Sequence, residues 1–173
     1  MSLSKLGLPG MRCGIIIANE AVTKAMTNMN GIISLAPGSL GPAIGTHMIE
    51  SGDLLPLSQK VIRPFYQQKA LHAVKLLQKE ITDPRFKIHK PEGAIFLWLW
   101  FDELPISSME LYQRLKARGV LIIPGEYFFF GQENTENWPH TRQCIRMNYV
   151  QDEQSMRDGI KAIAEEVIRA YQE

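Results

Sequence analysis

From about residue 56 to the C-terminus, the apolar residues of this chain switch repeatedly between two spacings: three to four residues apart, then two apart. That alternation admits few architectures, because amphipathic helices and half-buried strands must cover one another in layers. Residues 55–82 carry Val61, Ile62, Phe65, Leu71, Val74, Leu77 and Ile81 at helical spacing, with Lys60, Gln67, Lys75 and Lys79 facing away. Pro64 either opens this helix at its first position or kinks it, and Asp83-Pro84 ends it. Phe86–His89 reads as a short strand and Ala94–Phe101 as a strong one, aromatic and β-branched. Alternation puts Trp98 and Trp100 on one face of that strand, expected to be the core face. Ser107-Ser-Met-Glu110 fits a capping box, and Gly119 closes the helix it opens. Val120–Ile123 and Cys144–Val150 read as further strands. Asp152 caps a last helix that runs to Tyr171, with Ile160, Ile163, Val167 and Ile168 on one side.

Ahead of this regular region the composition shifts toward Gly, Pro and Ser, which places a boundary near residue 55 and divides the chain into 1–55 and 56–173. Gly14–Ala18, short and β-branched, reads as a strand buried on both faces. Asn19 suits the N-cap of a helix from about Glu20 to Met29. Ala36–Pro42 reads as a loop, with Pro42 at the first position of a helix that reaches Ser51 and stops at Gly52. The 173 residues are 45% apolar and 21% charged, which excludes a disordered chain. Lys plus Arg number 19 and Asp plus Glu 18, so the net charge of +1 argues against a general nucleic-acid binder. The longest wholly apolar run, Gly93–Phe101, is far short of the about 20 residues that cross a bilayer. The first ten residues hold no apolar signal segment. Two cysteines, Cys13 and Cys144, make no disulfide framework, so a cytoplasmic protein without a membrane partner is expected.

Two constellations carry chemistry. In Ser2-Leu-Ser-Lys-Leu-Gly-Leu-Pro-Gly-Met-Arg-Cys-Gly14, one amine, two hydroxyls and one guanidinium share a glycine-rich loop. Hydroxyls and a guanidinium beside free N–H groups suit a phosphate. An amine held next to that phosphate can form a Schiff base with an aldehyde the phosphate anchors; a turn with a solvated lysine is equally compatible with composition. In Cys144-Ile-Arg-Met-Asn-Tyr149 an arginine sits in an apolar strand and needs a partner. That partner is either a structural carboxylate or the carboxylate of a substrate. Arg142, in the preceding loop, ranks second for the same role. His140, Cys144 and Cys13 lack the paired spacing of a zinc site, and no metal is expected. The triplet Phe128-Phe129-Phe130 suits a pocket or interface lining better than a base-stacking platform.

The Ser-x-Ser-Lys-x-Gly-Leu-Pro-Gly-x-Arg-x-Gly run resembles the cofactor-lysine signature of fold-type I pyridoxal-phosphate enzymes, the class I and II aminotransferases. Lys90-Pro-Glu-Gly-Ala-Ile-Phe96 and Gly119-Val-Leu-Ile-Ile-Pro-Gly125 resemble further segments of that family, in the family's order. The resemblance implies an α/β chain: a small α+β domain, a sheet with packed helices, over 56–173, preceded by a remnant of the large cofactor-binding domain over 1–55. It implies pyridoxal 5'-phosphate as cofactor, Lys5 as the catalytic lysine, Ser2, Ser4 and Arg12 as phosphate ligands, and Arg146 as the grip on a substrate carboxylate. It also implies a homodimer. The strings Gly93–Phe101 and Trp138–Val150 resemble a branch that moves amino groups between an aliphatic amino acid (valine, alanine) and a 2-oxo acid (pyruvate, 2-oxoisovalerate). Family members are longer and bind the cofactor ring ahead of the lysine, so the 173 residues alone are expected to be an inactive C-terminal part. Two other readings are a folded module without catalysis and a different fold-type I activity, such as a β-lyase or a regulator domain.

Overall fold

The computed structural model of the chain describes residues 2–6, 8–35, 38–131 and 138–173. It divides into two compact units, Met1–Phe65 and Tyr66–Glu173. The division lies some ten residues beyond the compositional break, inside a long helix.

The first unit opens on two short 3-10 turns, Leu3–Leu6 and Pro9–Met11. Ser2 bridges Gly14 in antiparallel fashion, and the Leu3 N–H donates to the Cys13 carbonyl at 3.1 Å, so residues 2–14 close into one loop. Leu3 of this loop is buried, 1% exposed. Two helices follow, α1 (Glu20–Ser34) and α2 (Leu40–Glu50). The Asn19 side chain accepts from the Val22 N–H at 3.0 Å, capping α1 as expected, though the helix continues past Met29. Pro42 stands two residues inside α2, where a missing N–H still costs no helical hydrogen bond. Gly41 and Gly45, four apart and so on one face, let the bare backbone of α2 settle on the loop. A Cβ on Gly41 would stand 2.1 Å from the Met11 carbonyl oxygen, and one on Gly45 2.9 Å from Leu3 Cδ1.

Gly14–Ala18 is not the buried strand its composition suggests. Among the described residues the segment forms no strand beyond the isolated bridge at Gly14, and Ile17 is 88% exposed. A β-branched run becomes a strand only where a ladder partner satisfies its backbone. The unit ends in α3 (Leu54–Leu57) and a π turn over Ser58–Ile62, which runs directly into α4 (Arg63–Glu80). The π turn answers the question posed by Pro64. A proline ring collides with the carbonyl four residues back, and the wider turn, in which the Arg63 N–H reaches the Ser58 carbonyl, makes room for it. Residues 36 and 37 of the expected Ala36–Pro42 loop lie outside the described residues, as do 132–137 of the loop after Phe128.

The second unit is a four-stranded antiparallel sheet with helices against one face. Its strands are β1 (Phe86–Ile88), β2 (Phe96–Phe101), β3 (Ile123–Pro124) and β4 (Cys144–Asn148), in the order β1-β2-β4-β3. β3 is brief because Pro124 has no N–H to extend a ladder. Two helices complete the unit: α5 (Ser108–Ala117), capped by Ser107 on the Glu110 N–H, and α6 (Glu153–Gln172), capped by Asp152 on the Ser155 N–H. Gly119 takes φ +78 just after α5, where a left-handed residue ends a helix. Leu97, Leu99 and Phe101 of β2, with Ile145 and Met147 of β4, meet Leu77 of α4, Leu111 and Leu115 of α5, and Ile160, Ile163 and Val167 of α6.

That core corrects the reading of the two tryptophans. They do share a face of β2, but it is the face turned away from the helices; Leu97, Leu99 and Phe101 are the buried set. Among the described residues no helix is long and apolar enough to cross a membrane.

Candidate active site

Of the residues singled out for a cofactor, Ser2, Ser4, Lys5 and Arg12 all belong to the closed loop of the first unit. Ser2, Lys5 and Arg12 are exposed and Ser4 is half-buried. The loop is cross-tied by its own backbone: the Lys5 N–H donates to the Ser2 carbonyl at 3.2 Å and the Leu8 N–H to the Leu3 carbonyl at 3.1 Å. Arg12 adopts φ 47, ψ 39, a left-handed conformation that costs a non-glycine residue about 1–2 kcal/mol. Its N–H is bonded back to the Pro9 carbonyl, which helps hold the strained residue in place. Between this loop, α1 and α2 opens a cleft of about 950 Å³, lined among others by Arg12, Gly14, Ile16, Met26, Ile33 and Gly41. Arg12 alone of the four reaches that cleft wall.

The chemistry of the donor set fits a phosphate-bearing aldehyde. A guanidinium and two hydroxyls match phosphate oxygens, and a lysine amine on the same loop matches the aldehyde carbon. The backbone ties within residues 2–14 keep the four side chains on one short, closed segment rather than a free tail.

Arg146 lies in the second unit, in the middle of β4, where register sets its surroundings. It pairs with Trp98 on β2 and with Ile123 on β3, so the three side chains form a row on the sheet face away from the helices. Its guanidinium carbon stands 4.2 Å from the centre of the Phe96 ring and 4.9 Å from that of Phe128. Its Nε–H is buried and has no hydrogen-bond partner. Among the described residues no carboxylate pairs with it, although Arg85, Arg114, Arg118, Arg157 and Arg169 of the same unit all form ion pairs. Of the two partners that the sequence left open for Arg146, the structural carboxylate is therefore not found among the described residues. Arg142 lies in the 3-10 turn Pro139–Arg142, and its charge opposes the upward push that burial gives the Glu126 carboxyl.

The aromatic residues beside Arg146 make a continuous patch. Phe128 meets Trp98 edge-on at 5.2 Å, Phe129 meets Trp138 at 5.2 Å, and His140 stacks on Trp138 at 5.3 Å. The Cys144 sulfur lies 3.5 Å from His140 Nε2 beneath this patch, and burial pushes its thiol up to about 11, which makes it inert at neutral pH. Gly125 anchors the turn that carries Phe128: a Cβ there would be 2.6 Å from the Cys144 carbonyl oxygen. The sequence marked the phenylalanine triplet as a pocket or interface lining but did not connect Phe128 with Arg146. Strand alternation would have put Phe96 on the tryptophan face, whereas nothing local links Phe128 to it.

The chain thus carries a lysine–arginine loop in one unit and, in the other, an arginine held among aromatic rings on an antiparallel sheet. The chain belongs to the aminotransferase class I and II family, whose profile matches residues 1–163. It is 58% identical to valine–pyruvate aminotransferase of Escherichia coli K12 over 173 residues, covering 100% of this chain and 41% of that protein. The crystal structure of valine–pyruvate aminotransferase from Salmonella typhimurium LT2 superposes with a TM-score of 0.88 at 58% identity, over 100% of this chain and 44% of that one. A multiple substrate aminotransferase from Thermococcus profundus superposes with a TM-score of 0.76 at 26% identity, over 99% and 40%. The chain thus spans about two fifths of the length of these relatives.

Proposed function

We propose that this chain is part of a pyridoxal-phosphate aminotransferase that exchanges amino groups between an aliphatic amino acid, valine or alanine, and a 2-oxo acid, pyruvate or 2-oxoisovalerate. Residues 1–55 act as the end of a cofactor domain and 56–173 as the small domain. The observation that carries the reading is the closed 2–14 loop, which ties Lys5, Ser2, Ser4 and Arg12 into one backbone-bonded segment. The 58% identity to a valine–pyruvate aminotransferase supports the substrate pair.

In this reading Ser2, Ser4 and Arg12 would hold the phosphate, and Lys5 would hold the aldehyde end. The bound cofactor supplies an electron sink, which the protein itself lacks. The Lys5 amine, when not engaged with the aldehyde, would be the base that takes the proton from the substrate's α-carbon. Arg146 grips the α-carboxylate through paired N–H donors, and by fixing that end of the substrate it fixes which α-carbon bond faces the chemistry. The aromatic patch beside Arg146 would suit an apolar side chain. A second copy of the parent completes a cytoplasmic homodimer. The 173 residues alone, about two fifths of the length of these relatives, are expected to be inactive.

The test is alanine formation from pyruvate with L-valine as donor, in the parent polypeptide. Lys5→Ala abolishes it. Arg146→Ala lowers kcat/KM for valine by the equivalent of about 2–5 kcal/mol. An Arg146→Ala protein with unchanged kcat/KM would remove the carboxylate role.

A further inference from the structure

Arg146 differs from the ion-paired arginines of its unit in what its guanidinium faces. Arg85, Arg114, Arg118, Arg157 and Arg169 pair with acids, among them Arg114 with Glu110 and Glu173, and Arg118 with Glu165 and Glu166. Arg146 instead faces two aromatic rings, both within the about 6 Å at which a ring face attracts a cation. The difference matters chemically. A carboxylate partner would occupy the N–H donors of the fork, whereas a π face attracts the charge and occupies none of them. The buried, unpartnered Nε–H is one such donor left over.

We propose that Phe128 is a positioning residue of the carboxylate site: with Phe96 it clamps the Arg146 guanidinium, standing in for a structural acid, so that the fork is held in place with its donors kept for an incoming monocarboxylate. This rests on the reading of Arg146 as the substrate's carboxylate grip.

The two rings come from different places. Phe96 is the first residue of β2, next but one to Trp98, the cross-strand partner of Arg146. Phe128 ends the 3-10 turn Gly125–Phe128 that follows β3. Its seat is defined three ways: edge-on contact with Trp98 at 5.2 Å, the pairing of Ile123 with Arg146, and the close approach of Gly125 to Cys144. Phe128 therefore reports to Arg146 through the fold of β3 and β4 and needs no contact with substrate to act. A clamp of this kind also selects. It offers no second cation to a dicarboxylate side chain, and its rings favour an aliphatic one.

The experiment uses the full 173-residue chain labelled with nitrogen-15, and 3-methylbutanoate, the carboxylate skeleton of valine, as the probe. The Nε–H resonance of Arg146 is assigned by its loss in Arg146→Lys. In the unsubstituted chain it shifts saturably on titration. Phe128→Tyr keeps the ring and binds within about twofold of the unsubstituted chain. Phe128→Leu keeps bulk but loses the π face, and binds about three- to tenfold more weakly. Equal binding by Phe128→Leu would overturn the clamp and leave the carboxylate role of Arg146 standing. The same holds if Phe128→Leu lowers the unfolding midpoint with binding unchanged, since that is a merely structural role. No saturable shift in the unsubstituted chain would overturn the carboxylate reading itself, and the clamp with it.

Discussion

Replacing Gly125 by alanine tests how the site is held together. Gly125 is buried at the junction of β3 and the turn that carries Phe128, and an alanine Cβ would stand 2.6 Å from the Cys144 carbonyl oxygen and 2.8 Å from Cys144 Cβ. Restoring ordinary contact near 3.5 Å requires a displacement of roughly 0.7–0.9 Å. β4 is hydrogen-bonded on both sides, to β2 and to β3, whereas β3 has only two residues. The turn must therefore give way, and Phe128 moves with it. Overpacking of this kind costs about 1–3 kcal/mol, which for a chain of this size lowers Tm by roughly 3–10 °C. The assay is urea and thermal unfolding of both proteins, with tryptophan emission as a local readout of the Phe128–Trp98 contact. Gly159→Ala in α6 is the matched control: nothing lies within 4 Å of its Cβ, so it should stabilise the helix by about 0.5–1 kcal/mol. Unfolding of Gly125→Ala within about 0.5 kcal/mol of the unsubstituted chain, with emission unchanged, would refute the packing argument.

Acid should weaken the fold. The Arg85 hydrogen bond holds the Asp83 carboxyl down at about 2, Ser155 lowers that of Asp152, and Arg114 lowers that of Glu173. Carboxyls depressed in the folded state bind protons more readily when unfolded, so their contribution is complete above about pH 4 and is lost as pH falls through the folded values. Tm should hold level from pH 8 to 6 and fall below about pH 4; a Tm that rises between pH 5 and 3 would contradict this. The two thiols should separate in a native titration with a disulfide reagent at pH 8. Cys13, partly exposed, reacts; Cys144, buried and pushed up to about 11, reacts only on unfolding. A Cys13→Ser chain that still reacts while folded would show Cys144 to be accessible.

The helices were legible because their signals are local. Asn19, Ser107 and Asp152 each sit at a helix start and each side chain accepts the expected N–H. The β2 alternation was legible too, but alternation defines two faces without saying which is covered. Trp98 and Trp100 looked like the core set from size alone, yet α4, α5 and α6 bury Leu97, Leu99 and Phe101. Gly14–Ala18 misled for a related reason: β-branched composition describes a residue run, while a strand is a property of a pair. At the site, residue types were readable and geometry was not. A lysine, two serines and an arginine on one loop are compatible with a phosphate-and-amine site and equally with a solvated turn; the family resemblance, not their composition, separates the two. That Phe128 lies over Arg146 depends on β3–β4 register and on the missing side chain of Gly125, both non-local.

The identity of the reacting lysine is the claim on which the rest depends. The parent polypeptide supplied with pyridoxal phosphate, reduced with borohydride, digested and sequenced by mass spectrometry should carry the phosphopyridoxyl group on Lys5, and Arg12→Ala should lower the labelling at limiting cofactor. Label fixed on a different lysine, or spread evenly over the exposed lysines, would contradict the account.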